Sequence, residues 1–472
     1  MVILHNILDT IDNVPEQKSF SLPTNKQNSL KIEFRDENDS VEPVYGGQKP
    51  PLPFADSKVV NASIAQSRRL TALEGDCKAV YEVIFNVEDS SFNWQAGDTI
   101  GVIPHNDAAN VNLVISHLEI ANADQCYSLS VDGSVKGSKI PAHVPVKSTI
   151  RYVLTQCLDL RSVLKKLFLL ALSIYTTNAK ERKILEYLCS KEGSTAYTTY
   201  ILNKGLCLLD IFTIFMSCKP PIEVLLANLP RLLPRPYSIV NSGLKNNKSL
   251  KICFSVMTAN SRKGLTTGWL ENIVLNELSL EKQIQNLTLL NEGSNSCQVP
   301  IYLRKNMNMF LLPEDIRQPL ILISPGTGVA PFIGFLEERE FLKENNPEIE
   351  LGESWLFFGC RNPELDFIYK EELYGFESRG TLNKLSTAFS RINDSENKYI
   401  QDALKQNMKA VVKLINNGAV VYICGDLKTM AVQVKEVLIE GFMEHQKMTT
   451  EEANAKISVM QKDKKYIVDA WS

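Results

Sequence analysis

Several stretches of the chain alternate apolar and polar residues in the way that is typical of β-strands. Residues 79–87 are the longest of them, and a second apolar run at 99–103 follows a glycine-containing turn at 95–98. The same character returns much later, at 237–240 and 249–256. Short strands separated by tight turns predict an antiparallel, barrel-like domain that is built from two separate parts of the chain.

Between the two parts of the predicted barrel the apolar residues follow a helical period. In 161–172 and 179–189, leucines and isoleucines recur three or four positions apart, with charged residues between them. Because this spacing lines one face of an α-helix, we predict a helical connecting domain over 107–225. The barrel then comprises 56–106 and 226–313.

Beyond residue 313 the pattern changes to apolar strands that alternate with helices. Residues 320–323, 354–359 and 419–424 are almost wholly apolar, and a helical pattern over 330–343 follows the first of them. Strands that are apolar on both faces are typical of a parallel sheet covered by helices on both sides. A second domain of this kind is predicted over 314–472.

The first 55 residues show no sustained periodicity. They mix charged residues with asparagine, serine, proline and glycine, as at 36–40 and 46–51. This composition cannot bury enough apolar surface to order a segment on its own. We therefore predict a flexible tail or linker over 1–55.

Composition narrows the classes of function. There are 51 Lys+Arg against 54 Asp+Glu, so the chain lacks the basic excess of a nucleic-acid-binding protein. The longest apolar stretches, 167–175 and 211–216, are shorter than the roughly 18–20 residues that a membrane helix needs, and residues 1–8 resemble no signal peptide. The ten cysteines contain no C-x-x-C pair and no metal-ligand spacing, which favours free thiols and no metal site. A cytoplasmic protein without a membrane or nucleic-acid partner is expected.

Two short motifs could bind a phosphate-bearing aromatic cofactor. In 235–238, Arg-Pro-Tyr-Ser, the arginine suits a diphosphate, the tyrosine offers a ring face and the serine a hydroxyl. In 263–269, Lys-Gly-Leu-Thr-Thr-Gly-Trp, a glycine opens a helix whose free N–H groups suit a phosphate. In isolation, a proline-marked turn and a capped helix start without a ligand explain these motifs equally well.

A third motif follows the first predicted parallel strand. Residues 324–332 read Ser-Pro-Gly-Thr-Gly-Val-Ala-Pro-Phe. The string lacks the Lys-Ser/Thr of a nucleoside-triphosphate loop and is not G-x-G-x-x-G, so the motif alone is weak. Its position is more informative, because open parallel sheets bind ligands outside the carboxyl ends of their strands.

Polar residues also follow the other predicted strands of this domain. They form the clusters 360–361, 389–391, 398–401 and 424–426. Ser390, Arg391 and Lys398, which belong to two of these clusters, suit a dianionic phosphate such as the 2′-phosphate of NADP. A single arginine or lysine is usually a solvated surface residue, but four clusters at successive strand ends favour a binding crevice.

The order of these motifs resembles the ferredoxin–NADP reductase superfamily, and within it the diflavin reductases, which carry a helical connecting insert. Strings at 229–238, 330–336, 355–361 and 469–472 resemble in particular the methionine synthase reductases. This resemblance implies an antiparallel FAD-binding β-barrel with a helical connecting insert, followed by a parallel-sheet NADPH-binding domain. It also implies an NADPH-dependent flavoprotein reductase that supplies electrons to cobalamin-dependent methionine synthase.

Carried over residue by residue, the resemblance implies two binding sets. The residues that would hold FAD are Arg235, Pro236, Tyr237, Ser238, Gly264, Leu265, Thr266, Thr267 and Trp471. The residues that would hold NADPH are Arg68, Gly326, Thr327, Ser390, Arg391, Lys398, Tyr399, Gln401 and Asp426.

A third set is implied for the transfer of hydride. Ser238, Cys424 and Asp469 resemble the polar residues that assist this step in the family. Trp471 resembles the terminal aromatic residue that stacks on the flavin and moves aside for the nicotinamide. Ser324 stands where relatives usually have glycine.

The resemblance also implies an FMN-binding, flavodoxin-like domain ahead of the barrel, which residues 1–55 are not expected to form. FMN is therefore expected only in such a separate domain, as a further partner beside methionine synthase. Two other functions stay open: a non-catalytic partner or chaperone of methionine synthase, and a diflavin-type NADPH reductase with another acceptor.

Overall fold

The computed structural model describes residues 19–24, 29–35, 50–133, 137–259, 262–286, 297–426 and 429–471, without the side chains of 259, 277–286, 470 and 471. The chain divides into two compact units. The first comprises the described parts of 1–53, 104–234 and 258–266, and the second those of 54–103, 235–257 and 267–472.

The strands, in chain order, are β1 Leu30–Phe34, β2 Val60–Arg69, β3 Val80–Asn86, β4 Thr99–Val102, β5 Cys126–Val131, β6 Lys147–Thr149, β7 Arg235–Ser238, β8 Ser249–Ser255, β9 Thr258–Ala259, β10 Arg262–Lys263, β11 Gln298–Arg304, β12 Leu320–Pro325, β13 Ser354–Cys360, β14 Lys384–Phe389, β15 Val420–Asp426 and β16 Tyr466–Trp471.

The α-helices are α1 Ala108–His117, α2 Ile150–Gln156, α3 Lys166–Ile174, α4 Ala179–Cys189, α5 Ser194–Tyr197, α6 Leu208–Ile214, α7 Ile222–Asn228, α8 Leu265–Asn286, α9 Ala330–Asn345, α10 Lys370–Ser378, α11 Ile400–Gln406, α12 Met408–Asn416, α13 Met430–Gln446 and α14 Thr450–Lys462. A short π-helical turn at Thr198–Leu202 follows α5, and a 3₁₀ turn at Gly326–Val329 leads into α9.

The first unit packs α1 to α7 around an apolar core that includes Val114, Leu169, Leu185 and Ile211. Side-chain caps fix several helix starts, and Asn178, for example, accepts hydrogen bonds from the N–H groups of Lys180 and Glu181 in the first turn of α4. The predicted helical insert is therefore present. It also contains two strands, β5 and β6, that the helical period did not indicate.

The structure differs from the predicted tail over 1–55. Strand β1 pairs antiparallel with β5, from Leu30 opposite Val131 to Phe34 opposite Tyr127, and Leu30 is buried. Ser21 accepts a hydrogen bond from the N–H of Lys191 at 3.2 Å. These segments are ordered by partners far along the chain, so local periodicity could not reveal them.

The second unit begins with the barrel, which has the strand order β7-β4-β11-β2-β3-β8 with antiparallel neighbours. Ile239, directly after β7, bridges to Ile252 of β8 and so joins the two outer strands. Val83, Phe85, Ile100 and Ile252 are among its fully buried residues. The predicted antiparallel barrel is confirmed.

The rest of the second unit is a parallel sheet in the order β14-β13-β12-β15-β16, which confirms the predicted parallel-sheet domain. Two apolar clusters cover its faces, one including Leu322 and Phe358 and the other including Ile323 and Phe357. The chain enters this sheet at the central strand β12 and continues outward through β13 to β14. It then returns to β15, which lies on the other side of β12. The strand order therefore reverses between β12 and β15, which is where open α/β sheets bind ligands.

Over the described ranges, none of the helices is long and apolar enough to cross a membrane.

Candidate functional site

The carboxyl ends of the parallel strands lie at one edge of the sheet, and the polar clusters predicted from the sequence follow them. Gly326 comes directly after β12, Arg361 after β13, Ser390 after β14, and Asp426 ends β15. The structure thus brings these clusters to the switch point that the strand order creates.

The loop after β12 contains two glycines, for which a side chain is disfavoured for different reasons. Gly326 has φ +50°, the left-handed region that favours glycine, and a Cβ there would meet open space. A Cβ on Gly328 would lie 2.3 Å from the carbonyl oxygen of Cys424, so the loop rests against the end of β15. The hydroxyl of Ser324 is buried and has no hydrogen-bond partner among the residues that the structure describes. The loop leaves its backbone available to a ligand at the switch point.

Backbone hydrogen bonds hold Ser390 and Arg391 beside the end of β13. Ser390 donates to the carbonyl of Cys360 at 3.1 Å, and Arg391 to that of Arg361 at 2.9 Å. The side chain of Arg391 is exposed, as a group that binds a soluble coenzyme must be before binding.

Lys398 and Tyr399 are brought close to this pair. The N–H of Phe389 donates to the carbonyl of Asn397 at 2.9 Å, which draws residue 398 toward the end of β14. The N–H groups of Lys398 and Tyr399 both donate to Asp402, at 3.1 and 2.8 Å. Lys398 and Tyr399 expose their side chains, so a cation and an aromatic ring are accessible near the end of β14, which Arg391 also follows.

Gln401 and Asp426 make contacts with or near the helix that follows β15. Gln401 donates to the side chain of Gln433 at 2.7 Å, which connects α11 with α13, the helix that follows β15. Asp426 accepts a hydrogen bond from the N–H of Thr429 at 3.2 Å. Asp426, which ends β15, therefore lies at the switch point, and Gln401 is linked to the helix that follows β15.

The residues predicted for hydride transfer come from three distant segments and meet. Cys424 of β15 lies opposite Asp469 of β16 in the strand register. The hydroxyl of Ser238, on β7 of the barrel, donates a hydrogen bond to the carboxylate of Asp469. A hydroxyl, a thiol and a carboxylate therefore form one cluster in the second unit.

Burial and charge set the protonation states in this cluster. Burial, reinforced by the negative charge of Asp469, raises the pKa of Cys424 well above its usual value, so the sulfur stays a thiol. Burial also raises the pKa of Asp469, while the positive charge of Arg304 and the hydrogen bond from Ser238 oppose that increase. The cluster combines a neutral thiol with a carboxylate whose charge depends on its neighbours.

Arg304 also belongs to this cluster, although no sequence motif marks it. In the register of the barrel, Thr99 pairs with Ser238 on one side and with Arg304 on the other. Residues directly opposite on neighbouring strands point to the same face, so the three form one row. The guanidinium of Arg304 also lies 5.3 Å from the ring centre of Phe54. In the sequence, Arg304 is a charged residue at the end of an apolar strand. Such residues are common, so this position alone does not indicate a functional site.

Arg235, Pro236 and Tyr237 lie on β7 beside β4, which places the first motif on the barrel. The ring of Tyr237 meets that of Phe254 edge-on at 6.3 Å. Burial raises the pKa of the Tyr237 hydroxyl, so it remains protonated. A rigid aromatic ring and an arginine thus stand on the same short strand.

In the first unit, Gly264 joins the short hairpin of β9 and β10 to the start of α8. Leu265 and Thr266 form the beginning of that helix. The side chain of Thr266 is only 3% exposed, and its hydroxyl has no partner within the described residues. A buried hydroxyl without a partner is costly unless a ligand satisfies it. In the second unit, the hydroxyl of Thr267 accepts a hydrogen bond from the N–H of Met257 at 3.3 Å.

Arg68 occupies a different environment from the other predicted NADPH residues. Its guanidinium pairs with Glu82 at 2.8 Å and with Glu372 at 2.5 Å, and it lies 5.7 Å from the ring centre of Tyr369. Burial would lower the pKa of Arg68, but the two carboxylates raise it further. This arginine is held by protein carboxylates, and its contact with NADPH stays a prediction.

Trp471 is described only by its backbone. It ends β16 and lies opposite Asp426 in the register, at the same edge of the sheet as the rest of the site. Its side chain, on which the stacking prediction depends, lies outside the described residues, as does Ser472.

Comparison with protein families agrees with the two domains. Residues 52–269 match the FAD binding domain family, and residues 322–436 match the oxidoreductase NAD-binding domain family. The first match covers the barrel strands up to α8 together with the helical insert. The second covers most of the parallel sheet.

Individual relatives extend the similarity to nearly the whole chain. Methionine synthase reductase of Rattus norvegicus is 34% identical over 98% of this chain and 67% of its own length. That of Homo sapiens is 34% identical over 88% of this chain and 61% of its own length. NADPH--cytochrome P450 reductase of Sus scrofa is 32% identical over 91% of this chain and 60% of its own length. The chain therefore spans about two thirds of the curated relatives that it matches.

Proposed function

Because the chain belongs to the methionine synthase reductase family of NADPH-dependent flavoprotein oxidoreductases, we propose that it takes hydride from NADPH onto bound FAD and supplies electrons for the reductive reactivation of cobalamin-dependent methionine synthase. The proposed hydride transfer is supported mainly by the cluster that Ser238, Cys424 and Asp469 form. A protein that only bound nucleotides, such as a chaperone, would have no need of this cluster.

The residues present fit FAD. Arg235 suits a diphosphate, and Tyr237 offers an aromatic ring beside it on β7. In the first unit, considered by itself, the unpartnered hydroxyl of Thr266 at the start of α8 is a donor that a phosphate oxygen would satisfy. FAD, when bound, supplies the hydride-accepting ring that no amino-acid side chain provides.

The residues present also fit NADPH. The glycine-rich loop after β12 lets a diphosphate approach the backbone at the switch point. Ser390, Arg391 and Lys398 are gathered at the ends of β13 and β14, and together they suit the charge of the 2′-phosphate. With this set the chain should prefer NADPH to NADH.

The cluster around Asp469 has a specific task in this proposal. A nicotinamide ring becomes positively charged as it loses hydride, and a carboxylate nearby stabilises that charge. Ser238 orients the carboxylate through its hydrogen bond, and Arg304 helps to keep it ionised. Cys424, as a buried neutral thiol opposite Asp469, adds no further charge to the cluster.

The choice of electron acceptor is supported only by similarity to the relatives. Methionine synthase is proposed because the relatives with 33–34% identity are methionine synthase reductases. A relative named for cytochrome P450, at 32% identity, makes a different acceptor the second candidate. Assays of the reduced chain with each acceptor distinguish the two, and transfer to cytochrome P450 but not to methionine synthase would reject our choice.

The first prediction concerns the purified chain itself. It should be yellow, contain FAD, and lose its flavin absorbance when NADPH is added without oxygen, because hydride passes onto the flavin. It should also reduce ferricyanide. Absorbance spectra before and after NADPH are the measurement. A colourless protein that does not take up added FAD would favour the chaperone alternative.

The second prediction concerns the end of the chain. If the ring of Trp471 stacks on the flavin, it occupies the place that nicotinamide needs, and removing 471–472 should make NADH a better donor. Aromatic stacking contributes only about 0.5–1.5 kcal/mol beyond burial, so we expect the preference for NADPH to fall by up to about tenfold. Steady-state kinetics with both coenzymes measure this. Removing Ser472 alone is the control, and an unchanged preference in both variants would place Trp471 away from the flavin.

A further inference from the structure

An arginine of the connecting helices holds the segment that leads into α8. Arg161 donates through Nη1 to the carbonyl of Lys263 at 2.9 Å. Its other terminal nitrogen pairs with Asp107 at 2.8 Å. Asp107 is itself fixed, because it caps α1 by accepting a hydrogen bond from the N–H of Asn110 at 2.9 Å. Arg161 therefore connects a rigid helix start with the backbone of residue 263.

A second arginine holds the same segment from within. Arg262, on β10, pairs through Nη2 with Asp210 at 2.7 Å and contacts the sulfur of Cys207 through Nη1 at 3.1 Å. Asp210 also accepts a hydrogen bond from the N–H of Cys207 at 2.9 Å, so it lies locked at the start of α6. Burial alone would raise the pKa of Asp210, but the bonds from Arg262 and Cys207 hold it below its usual value. The pair is therefore ionised at neutral pH.

The two arginines bracket the part of the chain that is proposed to receive the FAD diphosphate. Residue 262 is paired with Ala259 in the short hairpin, and α8 begins at Leu265. Thr266, one residue further on, is buried with an unpartnered hydroxyl, as described above. The free N–H groups of the helix start and this hydroxyl are oriented by the course of residues 262–264.

We propose that Arg161 and Arg262 are positioning residues for FAD, holding residues 262–266 in the conformation that binds its diphosphate. Neither side chain touches the cofactor in this arrangement. Their effect arises because a segment that is ordered in advance loses less conformational entropy when a ligand binds. The helical connecting domain then has a functional consequence, since it sets how tightly flavin is held. The proposal rests on the proposed FAD-binding function.

The experiment replaces each arginine by methionine, which keeps the length of the side chain but removes its donors. The control is Arg151→Met in the same unit, because Arg151 makes a comparable ion pair with Asp124, at 2.6 and 3.1 Å, on an exposed surface. The dissociation constant for FAD, measured by flavin fluorescence with the full chain, should rise about tenfold for Arg161→Met and for Arg262→Met. It should change less than about twofold for Arg151→Met.

Three further results separate positioning from general stability. At saturating FAD, the rate of ferricyanide reduction should return to that of the unmodified chain in both variants, because the arginines act on binding and not on chemistry. The double variant should lose less affinity than the product of the two single effects, since both residues order one segment. Arg161→Lys can reach Asp107 or the carbonyl of Lys263 but lacks the guanidinium that joins them. Its dissociation constant for FAD should therefore lie between those of the unmodified chain and Arg161→Met.

The proposal is overturned if either methionine variant binds FAD as tightly as the unmodified chain. It is also overturned if rates stay low at saturating FAD while the control is unaffected. If a methionine variant does not fold, the lysine variant of the same residue (Arg161→Lys or Arg262→Lys) decides in the same way, with unchanged FAD affinity counting against the proposal. Failure of the unmodified chain to bind FAD at all is a different result, which rejects the proposed function itself.

Discussion

Replacement of Asp469 by asparagine should slow the reduction of bound FAD by NADPH by about 10²–10³-fold, the loss typical when one preorganised electrostatic group is removed from a reacting centre. Asparagine keeps the shape of the side chain but not its charge. The developing positive charge of the nicotinamide then has no carboxylate opposite it. Stopped-flow measurement of flavin absorbance under anaerobic conditions gives the rate directly.

The control for this variant is Asp463→Asn, an exposed carboxylate just after α14. Asp463→Asn should leave the rate unchanged, and the two variants should bind FAD equally well. A rate for Asp469→Asn within about threefold of the unmodified chain would remove Asp469 from the chemical step.

Arg304 provides an independent check on the same carboxylate through its pH dependence. Burial raises the pKa of Asp469, and Arg304 opposes that increase. If the ionised form is active, flavin reduction should slow as the pH falls through this pKa. Arg304→Met removes the opposing charge, so the pKa of Asp469 rises further. The pH at which flavin reduction begins to slow should then be higher. A pH profile that does not move would mean that Arg304 does not tune Asp469.

Arg391→Ala should raise the Michaelis constant for NADPH by about 10–100-fold while leaving that for NADH nearly unchanged. A hydrogen bond to a charged group contributes about 1.5–3 kcal/mol, which corresponds to one to two decades of affinity. Only NADPH carries the 2′-phosphate, so only NADPH loses this contact. Steady-state kinetics with each coenzyme at several concentrations measure the two constants.

The matched control is Arg317→Ala, because Arg317 is an exposed arginine that pairs with Asp315 at 2.9 Å in the same unit. Arg317→Ala should change the Michaelis constant neither for NADPH nor for NADH. Equal losses for NADPH and NADH in Arg391→Ala would place Arg391 outside the 2′-phosphate site. Such a result would leave Ser390 and Lys398 as the candidates for binding the 2′-phosphate.

Much of the fold could be predicted because secondary structure leaves a local periodic trace. The alternation in 79–87 indicated β3, and the helical period of 179–189 indicated α4, whose bounds the structure reproduces. The strands β12, β13 and β15 were recognisable because a strand that is buried on both faces is apolar at every position. The polar clusters that follow them then had to lie at one edge of the sheet.

Other parts of the fold left no such trace. Strand β1 is only five residues long, and its partner, β5, lies about a hundred residues further along the chain. Neither segment differs locally from a polar linker or from an interruption between helices. Only pairing between them orders both, and pairing at such a separation is not encoded in any short window of sequence.

Sequence patterns indicated the order of the domains, the motifs that suit two nucleotide cofactors and, through family resemblance, most of the candidate site. The tertiary structure decided which of these residues meet. It set Ser238 against Asp469, added Arg304 to them, and held Arg68 between two carboxylates. The physical reason is that periodicity reports which face of an element is buried, whereas charges and hydrogen bonds act over a few ångströms between elements. Their effects become definite only when strand register and packing have brought those elements together.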